Sequence, residues 1–584
     1  MQRTAESQHR WKAVPPAKLL RYTSNLSGAS LQMKLKIESI CNFKPRSIQQ
    51  QVSNGLKKTH DSEGFSIHLC FLNMVKNILF PGLIALILAL SLTQCRRESF
   101  IEDSSARVEF SEDTIFFDTV FATIGSVTRY LRVRNNYDKS IRIDEIALEG
   151  GTSSQFRINI DGLDGPVQRD IEILPNDSIF IFVEVTIDPQ DGSIPFIVED
   201  DIRFKINDNV QHVHLESYGQ NAIFHGGLNS CGNPISDVIE AGTTETWNNT
   251  LPHVVYGIVM VDEGATLIIN SGVQVYCHGK SGIFVNGGNI KINGELGAEV
   301  VFQGDRLEPS YQDIPGQWGI QLDCPYETSM GPQVASIVRG GIWIFGSNDS
   351  DIKHAILKNG NIGIQVDTSG VAYNSLNYSV DIQNTRIINM AGIGLLGQGA
   401  SITGNNLLVA NCGQQAAYFG LGGRYRMDNC TFANYNADNE RQTPTFVLNN
   451  YYEDVYQNIQ VREIYDSQFS NCIMYGNNAN LTDYSEFLLD INESGPTNFR
   501  FRSCLVDANF SVENDGNRFE GMTNNQAPFL CNPAGGNFRL SSIADIMKGT
   551  SVSVNTVSPD MDGNFWGVPV WKGCYAYDSN SPCE

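Results

Sequence analysis

The sequence predicts an all-β chain, an immunoglobulin-like β-sandwich followed by a right-handed parallel β-helix solenoid, on three observations. Between Arg107 and Tyr218, apolar and polar residues alternate in short runs separated by turn formers. Beyond Trp247, a unit of apolar, polar, apolar and Asn positions recurs, with successive terminal asparagines about 22 residues apart where no insertion intervenes. Composition agrees: 53 Gly in 584 residues with only 18% charged side chains suit turn-rich strands rather than long helices.

Charge divides the chain before any element is placed. Residues 1–94 hold 12 Lys+Arg and 4 Asp+Glu, a net of +8. The remaining 29 Lys+Arg and 60 Asp+Glu leave residues 95–584 at −31, which excludes the basic face of a nucleic-acid-binding protein. At the border, Met74 to Asn77 precedes an uncharged run from Ile78 to Leu92, too short for a comfortable membrane span and the length of a signal-peptide core. The sequence Leu92-Thr93-Gln94-Cys95 resembles the lipobox of bacterial lipoproteins, with Gln94 in place of the usual small residue. The resemblance implies lipidation of Cys95 and translation from Met74. Arg96 after the cysteine then points to the outer membrane, on a face the sequence does not specify. The expected organisation is an unfolded extension over 1–73, a signal peptide over 74–94, a linker over 95–106, the sandwich over 107–220, the β-helix over 221–534 and a C-terminal cap over 535–584.

In the first unit, strands are expected at Val127 to Val133, Ile141 to Leu148, Ile171 to Leu174, Ile179 to Val185 and Ile202 to Ile206. Their separators include Asn135-Asn136, Gly150-Gly151 and Pro175-Asn176-Asp177. The segment from Phe116 to Phe121, the strand from Leu131 to Asn135 and the turn before Ile179 resemble the Ig-like modules that precede β-helices in lipoproteins of the Bacteroidetes type.

The second unit is a repeat. Its copies read Ile352/His354/Leu357/Asn359, Ile382/Asn384/Ile387/Asn389, Met427/Asn429/Phe432/Asn434 and Ile464/Asp466/Phe469/Asn471, with Asn406/Val409/Asn411 a weaker one. A single coil cannot bury its inward residues, whereas stacked coils share one core, and Asn tolerates the left-handed corner each turn needs. Phe501 to Asp507 reads as a degenerate last coil, and insertions fall near Gly370–Asn377 and Asn436–Gln460. The stretch from Gly264 to Val273, Gly316-Gln317-Trp318-Gly319-Ile320 and a tail running through Asp560 to Asn564 and Gly573 to Tyr577 resemble the pectin-lyase-like superfamily of parallel β-helices, in its surface-lipoprotein branch. That superfamily spans lyases, hydrolases, adhesins and proteins without known activity, so the resemblance implies the fold and leaves the chemistry open.

No coherent catalytic set stands out. A hydrolase of this type needs clustered carboxylates on one face, and the solenoid has no adjacent Asp pair. His253 and His278 are isolated, and His354 occupies the corner slot of Asn384 and Asn429. Asp349/Asp351/Lys353 and Asp305/Arg306/Glu308 carry the residue types of a polysaccharide lyase but read more simply as solvated turns. Asp560 and Asp562 resemble part of a calcium loop without its distal Glu, so calcium is the one cofactor kept open and no other is expected. Trp318 and Trp343 read as core. Tyr451, Tyr452 and Tyr456, beside Glu453 and Asp454 in the long insertion, suit stacking on sugars. Of ten cysteines beyond Cys95, Cys574 and Cys583 are expected to pair as a C-terminal clasp. The reading is a lipid-anchored, non-catalytic envelope protein that binds glycans or a surface protein. The alternative is a lyase or glycoside hydrolase on acidic polysaccharide, which a net −31 would repel unless a basic groove or Ca²⁺ intervened.

Overall fold

The computed structural model describes residues 100–584 apart from 123–124, 190–195, 229–233, 329–330, 369–376, 436–440, 455, 478–484, 543, 550–558, 567–569, 579–582 and 584. The extension, the apolar leader and Cys95 therefore lie outside the described residues.

Among the described residues, ten strands make the first unit: β1 (Glu109–Phe110), β2 (Thr114–Phe121), β3 (Arg129–Arg134), β4 (Ile141–Leu148), β5 (Phe156–Ile160), β6 (Leu163–Asp164), β7 (Val167–Ile173), β8 (Ser178–Val185), β9 (Phe196–Ile206) and β10 (Asn209–Gln220). They form two five-stranded sheets, ordered β1-β3-β8-β5-β6 and β2-β10-β9-β4-β7. Alternation sets the faces: in β8, Ile179, Ile181, Val183 and Val185 are buried while Phe180, Phe182 and Glu184 are exposed. Leu131, Phe156 and Ile181 of one sheet share a core with Phe117, Ile143, Phe204 and Leu215 of the other. The long strand β10 was not expected from sequence, because outward His212, His214 and Glu216 dilute its apolar signal.

The second unit winds into coils of up to three strands. Row A runs from Pro234–Ile239 to Phe487–Asp490 and row B from Thr244–Trp247 to Phe519–Glu520; together they form one 18-stranded sheet. They merge because Leu395–Asn405 and Ala417–Asp428 pass through the A/B corner unbroken. Row C, from Ile223–His225 to Thr523–Asn524, is a separate 11-stranded sheet. Pairing from coil to coil is parallel, as in Ile283 with Ile342, Ile352 with Ile382 and Val409 with Phe432. This all-β parallel β-helix encloses a single apolar core from Ile239 to Phe519. Phe121 of the first unit packs on Tyr276 of the second, with ring centroids 4.9 Å apart.

Corner residues explain the repeat. His354, Asn384, Asn406, Asn429 and Asn471 turn from row B into row C with φ of 46°, 47°, 54°, 53° and 53°. Asn359, Asn389 and Asn411 leave row C at 64°, 57° and 55°. The side chains also bond from coil to coil: Asn384 Nδ2 meets His354 Nε2 at 3.1 Å, and Asn389 Nδ2 donates to Asn359 Oδ1 at 2.8 Å.

Three expectations change. Phe469 pairs with Met427, so Asn471 is the counterpart of Asn429 and not of Asn434, which aligns with Gly476. The preceding hairpin insertion had shifted the apparent repeat. Nor is Phe501 to Asp507 the last coil: Phe519 pairs with Phe501, and Gly521 (φ 62°) turns that further coil. The end of the core is instead packed by Phe510, 5.9 Å from Phe487 and 6.4 Å from Phe519 between ring centroids. The C-terminal segment lies along the side of the solenoid, with Phe538, Met561, Cys574 and Tyr575 on Leu408, Ala410 and Ala433 of row C.

Candidate functional site

Which face is free follows from this packing. The later coils of row C, from Ile388 to Leu505, are covered by the C-terminal segment, Tyr276 of an early coil packs on Phe121 of the first unit, and B-to-C turns such as Asn384-Thr385 are tight. Long connections border row A instead. Residues 305–341, with the hairpin Gln321–Thr328/Gly331–Val338, enter it, and residues 450–463, with the hairpin Tyr451–Glu453/Ile459–Val461, leave it. The outer surface of the A/B corner is therefore the face flanked by projecting loops.

On row A, Phe284 and Trp343 occupy the same outward slot in adjacent coils, stacked at 4.2 Å. Trp343 is thus on the outside, not in the core as expected, while Trp318 is fully buried. The Trp343 Nε1 and Gln365 Nε2 donate to Asp367 Oδ2 at 2.9 and 2.8 Å. Asp367 Oδ1 is buried and without a partner. Burial raises the Asp367 carboxyl above its ordinary range, opposed by those two bonds and by Arg339. Further along, Tyr451 Oη donates to Asp490 Oδ1 at 2.8 Å and Asn449 Nδ2 to Asp490 Oδ2 at 3.1 Å.

On row B, Lys291, Asp351 and Asp381 share one register slot over three coils. Lys291 Nζ bonds Asp351 at 2.6 Å and Asp349 at 2.8 Å. Asp381 Oδ2 accepts from Gln383 Nε2 at 2.6 Å, but its buried Oδ1 has no partner. Burial raises Asp381, and the Asp351 charge adds to the rise against the bond from Gln383. Nearby, the Arg424 guanidinium lies 4.2 Å from the Tyr378 ring centroid, and Arg426 pairs with Asp428 at 2.9 Å. Burial raises the Tyr378 hydroxyl against the pull of those two arginines.

The corner thus carries two outward carboxyls, each with one oxygen held by an amide and the other buried, among aromatic rings, amides and arginines. Such a surface accepts hydrogen bonds from a hydroxyl-rich ligand and packs against its C–H faces.

Residues expected from sequence fall out differently. Tyr451 is committed to Asp490, Tyr452 takes a bond from Arg462 Nη2 at 3.1 Å, and Tyr456 is 81% exposed at the hairpin tip. Asp560 is buried, accepting from the backbone N–H groups of Asp562, Asn564 and Ala576 at 3.0, 2.7 and 2.7 Å. Asp562 meets Arg539 at 2.6 Å and Arg386 at 3.5 Å. The pair is therefore a clamped turn, and its oxygens face donors where calcium ligands would converge on a cation. Asp305 meets His278 at 2.6 Å, and Arg306 meets Glu308 at 3.1 Å, so that trio is divided. Elsewhere, exposed Glu199 with His214 and Glu216 on β9 and β10 brings potential metal-ligand atoms within 4.8 Å of one another.

The expected Cys574–Cys583 clasp is overturned: Cys583 bonds Cys531, and Cys574 is a buried free thiol against row C. Nearness in sequence misled, because Cys574 follows a left-handed Gly573 (φ 92°) and its N–H donates to Thr431 Oγ1 at 3.1 Å, toward the solenoid.

Sequence reasoning missed Asp367, Tyr378, Asp381 and Arg424. The available signal was a charged side chain in the outward slot of an apolar-x-apolar strand, as in Val380-Asp381-Ile382.

No protein-family profile matches the chain, and neither does any curated protein. Among solved structures, a family 123 glycoside hydrolase from Clostridium perfringens aligns at 9% identity over 24% of this chain and 30% of its own, with a TM-score of 0.16. A family 87 α-1,3-glucanase catalytic unit from Streptomyces thermodiastaticus strain HF3-3 aligns at 8% identity over 68% of this chain and 89% of its own, with a TM-score of 0.15. Superpositions this loose carry no argument about activity.

Proposed function

We propose that this chain is a lipid-anchored protein of the cell envelope, facing an unspecified side of the outer membrane, whose β-helix binds a glycan at the A/B corner without cleaving it. The observation that carries the reading is the set of outward rings, Phe284 stacked on Trp343 at 4.2 Å with Trp343 bonded to the Asp367 carboxyl, and Tyr378 facing the Arg424 guanidinium at 4.2 Å. Sugar C–H faces pack on such rings, and ligands with many hydroxyls suit mixed aromatic and amide surfaces. A net charge of −31 beyond the leader favours a neutral chain over a polyanion, which would need Ca²⁺ as a bridge. It equally disfavours nucleic acid. The lyase alternative needs an available base, and Lys291 is tied to two aspartates while Lys353 lies 4.0 Å from Asp351. The anchor rests on the lipobox-like sequence at Cys95, and the Ig-like unit serves as the spacer between lipid and solenoid.

Calorimetric titration of the protein with a panel of neutral and uronic-acid oligosaccharides tests the site. A neutral oligosaccharide should bind, and Asp367→Ala with Tyr378→Ala should weaken it at least about tenfold, the loss of roughly 1.4 kcal/mol. Equal affinity in that variant, or unsaturated product released from uronic-acid chains, defeats the proposal.

A further inference from the structure

The outer side of the second sheet of the sandwich gathers three metal-ligating side chains, Glu199, His214 and Glu216, with one ligand atom of each within 4.8 Å of the others. The register of β9 against β10 builds the group. Glu216 pairs directly with Glu199 and His214 with Asp201, so His214 is the diagonal neighbour of Glu199. Burial of Val213, Leu215 and Ser217 on β10 turns His214 and Glu216 to the other face. Pairing runs unbroken from Asn209 with Ile206 to Gly219 with Phe196, which gives the three side chains a fixed frame.

Two features separate this group from an ordinary charged patch. His214 Nδ1 lies 3.1 Å from Asp201 Oδ1. A carboxylate only accepts, so the ring proton sits on Nδ1, and Nε2 is left facing Glu199 Oε1 at 3.8 Å, beyond hydrogen-bond reach. Metal-binding histidines are held in this way, one nitrogen donating to a carboxylate and the other presented to the ion. The second feature is charge. Glu199 and Glu216 stand directly opposite each other, which is destabilising for like charges unless a cation comes between them. Arg203, the first cation along β9, is committed to Glu145 at 2.8 Å and Glu149 at 2.9 Å.

We propose that Glu199, His214 and Glu216 bind a divalent transition-metal ion, with Zn²⁺ the ion that suits the donor set; the site owes nothing to the glycan reading of the solenoid. Ca²⁺ and Mg²⁺ take oxygen ligands, whereas Zn²⁺ accepts an imidazole nitrogen together with carboxylates. Ligand atoms bonded at about 2.0–2.1 Å around a tetrahedral ion stand about 3.3 Å apart, so Glu199 closes on His214 Nε2 by about half an ångström from 3.8 Å. Three protein ligands leave a fourth position open to water or an outside donor. The sandwich has its own apolar core, so the ion adds stability to a fold that stands without it.

The test uses the full chain, stripped with a chelator and titrated with Zn²⁺ against a chromogenic indicator. The wild type should bind zinc, and Glu199→Gln/Glu216→Gln and His214→Ala should each weaken that binding at least about tenfold. His212→Ala is the control, an imidazole two residues along the same strand whose Nε2 lies 3.5 Å from Glu149, and it should leave zinc affinity unchanged. Ca²⁺ and Mg²⁺ should bind at least about tenfold more weakly than Zn²⁺. Zinc should also raise the unfolding midpoint of the wild type and of His212→Ala but not of the variants lacking ligands. Without zinc, the double glutamine variant should unfold no earlier than the wild type, since it relieves the facing charges, and this shows that its zinc loss is not a folding defect. A wild type that takes up no zinc, equal zinc affinity in the double glutamine variant, or an equal loss in His212→Ala overturns the proposal.

Discussion

Asn406 donates from Nδ2 to Asn384 Oδ1 at 2.9 Å, one coil below, and both residues hold left-handed backbone at the same corner. Each asparagine therefore does two jobs: it tolerates φ near 50° and satisfies its neighbour's amide. Replacing Asn384 with Ala removes both. A left-handed L-residue without local compensation costs about 1–2 kcal/mol and each lost bond about 1 kcal/mol, so Asn384→Ala should destabilise by roughly 3 kcal/mol. Asn384→Gly keeps the backbone freedom and loses only the bonds, and should recover about half of that. Thermal unfolding of the two variants checks the split, and equal losses would show that backbone strain plays no part.

Arg441 and Glu486 form a buried fork, Nη1 to Oε2 at 2.8 Å and Nη2 to Oε1 at 2.7 Å. Thr445 supplies two more bonds to Oε2, from its N–H at 3.0 Å and its hydroxyl at 2.7 Å. The stretch from Arg441 to Thr445 that enters row A is thereby fastened to the next coil. Removing one charge strands the other, which costs about 3–5 kcal/mol, whereas replacing both by apolar residues is often far milder. Glu486→Ala should lower the denaturant midpoint more than Arg441→Met/Glu486→Leu does. A double variant at least as unstable as the single one would contradict this.

The solenoid was legible because its corner asparagines are imposed by the backbone and so must recur. Where an insertion intervened, Ile464 and Asp466 mimicked the pattern and the register slipped to Asn471. The candidate site was not legible, since Trp343 meets Asp367, Arg424 meets Tyr378 and Asp351 meets Asp381 only when coils stack. Trp343 looked like core because its flanking residues, Ile342 and Ile344, are core. Cys531 offered no pairing signal because its partner Cys583 is 52 residues away.

The Cys531–Cys583 bond ties the end of the chain to the hairpin that lies on row C. Closing a loop of 52 residues contributes about 4 kcal/mol in the chain-entropy account. Cys583→Ser should therefore raise hydrogen exchange across 530–577 while the coils from 258 to 410 keep their protection. Uniform exposure would mean that the strap and solenoid unfold as one unit. In the native wild type, Cys574 should resist alkylation, because burial pushes its thiol up to about 12.

At the other end, His225, His253 and Trp247 form a stack over the first coils, with His225 Nε2 and His253 Nδ1 2.8 Å apart. Asp237 lies 3.4 Å and Glu245 4.0 Å from His225, and the Asn248 carbonyl is 3.1 Å from His253. Burial lowers His225 from 6.5 to about 4, with the His253 charge adding to the fall and Asp237 opposing it. His253 is lowered too, by burial first. A lowered imidazole means the fold favours the neutral ring, so this stability is complete above pH 6.5 and is lost as pH falls toward 4. The shift at His225 corresponds to about 3 kcal/mol across that window. The unfolding midpoint should drop between pH 6.5 and 4, and His225→Phe, which keeps a ring in the stack, should flatten that part of the profile. An unchanged slope in this variant would place the acid sensitivity elsewhere, in the carboxylates that protonate over the same range.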